Sequence, residues 1–184
     1  GFSFQAAWGE DDMWDVALRY AGEFSGFRLA AGIGYRQIND FNNGDSMGGC
    51  ANLSGSTAQS SVDCNNWAGS ASIMHVPTGI FVYGAYGSEN DNNKDALFGT
   101  NVKDTNEQWY IQAGIEQNWT GLGKTTIYGE YSSAEFGAAL DAGGVRVLAA
   151  ADVLNSAGAN RRIANSDVTF WGVGINQSID AAAM

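Results

Sequence analysis

The run Gly121-Leu122-Gly123-Lys124-Thr125-Thr126 carries the residue types that cradle phosphate. A phosphate loop of that kind also needs a glycine five residues before the Gly-Lys-Ser/Thr end, and a helix after it to supply free amides. That earlier position is Asn118, and beyond the glycines Thr125, Ile127, Gly129 and Tyr131 alternate with Thr126, Tyr128 and Glu130, which is strand spacing. The glycines therefore read as a hairpin turn. A second candidate chemistry lies in Ser70, Ser72 and the single histidine, His75, since a nucleophile and its base must meet within hydrogen-bond reach. On a strand Ser72 and His75 point to opposite faces, so the set does not read as a hydrolytic centre, and the chain is not read as an enzyme. Carboxylates gather in Glu10-Asp11-Asp12 and in Asn90-Asp91-Asn92-Asn93, where hard oxygen ligands suit a loosely bound Ca or Mg ion. Solvated acidic loops are the simpler reading of both, and no other cofactor is implied.

The elements that hold these residues are strands. One proline stands against 25 glycines, with 12% aromatics, in 184 residues. This composition suits strands and turns. No segment approaches the ~20 consecutive apolar residues of a membrane helix. The formal charge of −11 argues against nucleic acid as a partner, because phosphate binding needs clustered positive charge. Cys50 and Cys64, the only two cysteines, lie in a polar segment where an intraloop disulfide in an oxidising compartment is one reading and two free thiols the other. No secretory signal opens the chain, so it reads as processed or incomplete.

Strand runs fall near 2 to 9, 13 to 24, 27 to 38, 67 to 76, 80 to 89, 107 to 119, 124 to 135 and 167 to 179. Short connections, Glu23 to Phe27, Pro77 to Gly79 and Thr120 to Gly123, alternate with long ones at 39 to 66, 90 to 106 and 136 to 166. In an up-and-down sheet this puts the short turns on one rim and the long loops on the other, as in outer-membrane barrels. One face of the strands is apolar; the other is small or charged. Trp8, Trp14, Tyr35, Trp67, Tyr86, Trp109, Trp119, Tyr131 and Trp171 mostly sit at strand ends, where a membrane barrel carries aromatic girdles. Asp15, Arg19, Glu23, Arg28, Arg36, Glu116, Lys124 and Glu130 are the candidate lining of a wet lumen. Surplus acid, including Asp40, Asp45, Asp63, Asp91, Asp95, Asp104, Asp141 and Asp152, is assigned to the long loops, where it would concentrate cations at a channel mouth.

Several stretches resemble a known family, the general porins of Gram-negative outer membranes, in particular the alphaproteobacterial ones. Ala21 to Tyr35, His75 to Val82 and Gln117 to Glu130 look like porin hairpins, and Asn176 to Met184 is similar to a late periplasmic turn. The resemblance covers nearly the whole chain through repeated patterns rather than a catalytic signature. It implies one transmembrane antiparallel β-barrel domain over residues 1 to 184, with about eight strands here out of sixteen, incomplete at both ends. The implied function is passive diffusion of ions and small hydrophilic solutes with weak cation preference. Outer-membrane lipid, lipopolysaccharide and two further copies in a homotrimer are the implied partners. The alternative is a closed eight-stranded outer-membrane barrel acting as an adhesin or structural protein through its loops.

Overall fold

The computed structural model describes residues 1–9, 12–40, 62–91, 105–136, 139–140, 152–153, 162–163 and 166–179. They form an all-β structure. Seven long strands come first in chain order: β1 (Phe2–Trp8), β2 (Trp14–Phe24), β3 (Phe27–Asp40), β4 (Val62–His75), β5 (Ile80–Asp91), β6 (Thr105–Gln117) and β7 (Thr125–Phe136). Three two-residue strands come next, β8 (Ala139–Leu140), β9 (Asp152–Val153) and β10 (Arg162–Ile163), and then a long β11 (Ser166–Gln177). The long strands make one eight-stranded antiparallel sheet in the order β1-β2-β3-β4-β5-β6-β7-β11. Every neighbour in that sheet is the next long strand in the chain. The sheet is not closed: β1 and β11 are its two edges. The short strands form a separate three-stranded sheet, β8-β10-β9, which the alternation pattern does not foresee.

Local residue chemistry fixes the short connections. Ser25 (φ 48°) and Gly26 (φ 79°) both take positive φ, the signature of the two-residue hairpin turn whose twist matches its strands. The β4–β5 turn closes as the Thr78 and Gly79 amides donate to the His75 carbonyl at 3.2 and 2.8 Å. The β6–β7 connection is longer than its glycines suggest, running from Asn118 to Lys124. Its backbone is tied by side chains, with the Gly121 amide donating to Asn118 Oδ1 at 2.8 Å and the Leu122 amide to Thr120 Oγ1 at 3.3 Å.

β4 begins at Val62, five residues before the start read from alternation. Asp63, Asn65 and Asn66 are polar on both faces, so no period of 2 marks them. They pair nonetheless, with Asn39, Gln37 and Arg36 on β3. Asp40, Asp63 and Asp91 are consequently strand residues rather than loop residues. Glu10, Asp11, Asp45, Cys50, Asn92, Asn93, Asp95, Asp104 and Asp141 lie outside the described residues, as does most of the 137 to 165 connection.

The sheet has almost no conventional core. Among the described residues only Ile38, Cys64 and Ala134 are buried hydrophobics, and Met13 packs on the first two. Cys64 is disulfide-bonded.

Gly79 combines positive φ (69°) with confinement, since a Cβ there would collide with the backbone of Glu116, whose amide donates to the Gly79 carbonyl at 2.9 Å. Gly121 has a similar φ (74°) and nothing within 4 Å. Gly79→Ala is expected to destabilise the folded protein by an amount on the order of 1–3 kcal/mol. Gly121→Ala should cost less, the comparison being made by urea unfolding of the refolded protein.

Candidate functional site

Register decides which residues share a face, because directly paired residues on neighbouring strands point the same way. Reading the pairs across the sheet separates two surfaces. Along β1 and β2, Phe2, Phe4, Ala6 and Trp8 face Tyr20, Leu18, Val16 and Trp14, while Ser3, Gln5 and Ala7 face Arg19, Ala17 and Asp15. The division continues without a slip to β11, where Ile175, Val173 and Trp171 pair with Ile127, Gly129 and Tyr131, and Asn176, Gly174 and Gly172 with Thr126, Tyr128 and Glu130.

The apolar surface has a defined boundary. Trp8 pairs with Trp14, Tyr35 with Trp67, Tyr86 with Trp109 and Tyr131 with Trp171, so each long strand contributes one aromatic. Diagonal ring contacts join these pairs: Trp14 to Tyr35 at 5.1 Å, Trp67 to Tyr86 at 4.8 Å and Trp109 to Tyr131 at 5.0 Å. The eight rings thus form one continuous belt. Trp119 stands apart from it, exposed in the β6–β7 connection. At each diagonal contact the belt steps two residues toward the short turns. With ~3.3 Å per residue and ~4.8 Å between strands, the strands lean by about 30–35° from the perpendicular to such a belt.

Composition changes at the belt. From it to the short turns the apolar face carries no Asp, Glu, Lys or Arg on any strand, and its large side chains stay uncovered, Ile33 at 56% and Ile80 at 55% of full exposure. Beyond the belt the same face turns polar with Gln37, Asn65, Ser88, Glu107, Ser133 and Thr169. Two belt phenols reach into that polar zone, Tyr35 donating to Gln37 Oε1 at 2.7 Å and Tyr86 to Glu107 Oε1 at 2.8 Å. His75 lies on this apolar face against the Phe27 ring, 4.9 Å between centroids, with Nδ1 2.8 Å from Thr78 Oγ1. Ser70 and Ser72 are on the other face, so no serine–histidine pair is assembled.

Asp15, Arg19, Glu23, Arg28, Arg36, Glu116 and Glu130 all lie on the opposite, polar face, and Lys124 joins them at the turn end through its ion pair with Glu116. This face is concave: a cavity of about 910 Å³ runs along it from Asp15 on β2 to Phe136 on β7. Its charges are partly neutralised. Arg28 pairs with Glu23 at 3.3 Å and Lys124 with Glu116 at 2.7 Å, both near the short turns, and Asp15 sits opposite Arg36 in register. Arg19 is opposite Ser3 and Gly32, both uncharged.

Reasoning from charge misses much of this lining. Glu89 accepts from Asn66 Nδ2 at 2.9 Å and Asn106 Nδ2 at 2.8 Å, and Glu130 accepts from the Tyr110 hydroxyl at 2.6 Å. Tyr83 meets Tyr110 edge-on at 5.7 Å. Parity is the available signal, because Tyr110 must face away from Trp109 and Ile111 on the same strand. Among the described residues no group of three or more His, Cys, Asp or Glu side chains is placed to hold a metal ion; Asp12, at φ 56°, is the one member of the Glu10-Asp11-Asp12 cluster described. Arranged in this way, the polar face presents both signs of charge together with hydroxyl and amide groups along one concave surface. No family model, curated protein or solved structure matches the chain.

Among the described residues, only the Tyr110 hydroxyl donates to Glu130. Tyr110→Phe is expected to lower stability by about 1.5–3 kcal/mol, as for a hydrogen bond to a charged group, whereas Tyr83→Phe should stay close to wild type in a urea titration.

Proposed function

We propose that this chain is the strand set of an outer-membrane porin, its apolar face against lipid and its polar face lining a water-filled channel for ions and small hydrophilic solutes. The observation that carries the reading is the uncovered apolar face, free of charge and bounded by a continuous aromatic belt. A water-soluble sheet would have to cover that surface, since exposed apolar area on this scale marks an interaction surface. Lipid is the cover that also explains the belt, because Trp and Tyr rings favour the membrane–water boundary with their polar groups outward. From belt to turn ends the strands run nine residues on β4 (Trp67 to His75) and eleven on β2 (Trp14 to Phe24), that is, eight and ten residue rises. At the inferred tilt this is roughly 22–28 Å, against about 25 Å for the lipid-facing band of membrane barrels.

Two open edges are what a segment of a larger barrel presents. A strand edge in lipid would leave amides and carbonyls unpaired, so only a closed barrel is tolerated there. In the proposed barrel β1 and β11 therefore each pair with a further strand. The lumen is lined by both signs of charge, and the chain's −11 surplus favours cations at the mouth. Lipid and lipopolysaccharide around the band, and a homotrimer, belong to the same proposal.

The test is single-channel conductance of the full-length protein in a planar bilayer under a salt gradient. Stepwise conductance with a reversal potential on the cation side is expected, and its absence from correctly folded barrels would favour a plugged barrel that works through its loops. Adjacent residues on β6 supply a second test. Ala113→Arg should destabilise the bilayer-inserted protein by about 2–4 kcal/mol, the cost of Arg on a lipid face near midplane. Gln112→Arg should leave stability nearly unchanged and shift the reversal potential toward anions.

A further inference from the structure

Tyr128 is the largest side chain between β7 and the β11 edge on the polar face, yet its ring does not stand out from the wall. Its register partner on β11 is Gly174. A Cβ built on Gly174 would lie 2.5 Å from the Tyr128 hydroxyl oxygen, 2.8 Å from Cε1 and nearer still to Cζ. The ring therefore lies over the glycine, filling the space where any other residue would carry its side chain. Nothing in the backbone of Gly174 demands glycine, because its φ is outside the positive range that the turn glycines occupy. The requirement is for room alone.

We infer that Gly174 is a bore-determining position: it stows the Tyr128 ring flat on the channel wall, and a side chain there would swing the ring into the lumen. The inference rests on the channel reading, and it names a control on solute passage that lies in neither a charge nor a loop. Phe81 and Gly114 repeat the arrangement on β5 and β6, also in register, with the Phe81 Cε1 2.9 Å from a Cβ at Gly114. That second glycine is additionally hemmed in by the Ile127 carbonyl and by Tyr128 Cβ, so substituting it would disturb the sheet itself. At Gly174 the atoms met are the far end of a mobile side chain, and the strand can keep its register while the ring moves.

The experiment uses the full-length protein, with Gly174→Ala, Tyr128→Ala and the double variant compared with wild type. Two readouts are taken: single-channel conductance, and the rate of Tyr128 nitration by tetranitromethane followed by peptide mass spectrometry. Gly174→Ala is expected to lose conductance and to nitrate faster at Tyr128, and the double variant to recover conductance. Tyr128→Ala alone should conduct close to wild type, because the ring is already out of the stream; a large gain would overturn the inference. Unchanged nitration in Gly174→Ala would overturn the stowing of the ring whatever the conductance. Faster nitration with unchanged conductance would overturn its role in the bore. Wild-type protein that folds and does not conduct removes the channel reading, and the bore with it, while the nitration rates still decide whether Gly174 holds the ring.

Discussion

Alternation in register is the constraint on which everything else in this structure depends. Paired residues share a face, so one residue of slip on β2, β3, β6 or β7 would carry Arg, Asp or Glu into a band that is otherwise free of charge, and would turn large apolar side chains to the concave side. Consecutive pairing of eight strands in a single order makes that constraint collective. A slip on β6 would have to be matched on β5 and β7. The belt expresses the same constraint geometrically, since its diagonal ring contacts exist only at the observed offsets.

Stability in such a sheet does not come from a packed interior. The described residues bury only Ile38, Cys64 and Ala134 among the hydrophobics, so the ladder of backbone hydrogen bonds and the medium around the apolar face must supply what a core supplies elsewhere. The polar face contributes local networks instead. Glu89 is held by two amides and Glu130 by one phenol, while Glu23 and Glu116 each pair with a cation near the turns. Exposed ion pairs of the Arg28–Glu23 kind are worth little in water, about 0–1 kcal/mol. Their effect is on the field along the concave face rather than on the fold.

Much of the architecture is legible in residue order where one face differs from the other. Trp14 to Phe24, Trp109 to Gln117 and Thr125 to Tyr131 alternate strictly, and their strands, turns and faces come from that alternation. Where both faces are polar the signal disappears, which is why β4 reads as starting at Trp67 although it starts at Val62, and why Asp40, Asp63 and Asp91 look like loop acid. The Asn118 to Lys124 connection reads too short because its glycines stand out, whereas the Asn118 and Thr120 side chains that shape it are ordinary in type. The tyrosines of the concave face escape a search guided by charge rather than parity. The space over Gly174 cannot be read at all: a glycine between Val173 and Ile175 carries no mark of which ring lies on it.

The most direct test of the account is the solvent met by successive side chains of one strand. Single spin labels placed in turn at positions 109 to 113, 115 and 116 of β6, in protein reconstituted into lipid, would be measured for collision with lipid-dissolved oxygen and with a water-soluble nickel chelate. Labels at 109, 111, 113 and 115 should meet oxygen and those at 110, 112 and 116 the chelate, with a period of two throughout. Chelate access at the odd positions and none at the even ones would mean that the apolar face is not in lipid, and would contradict the account.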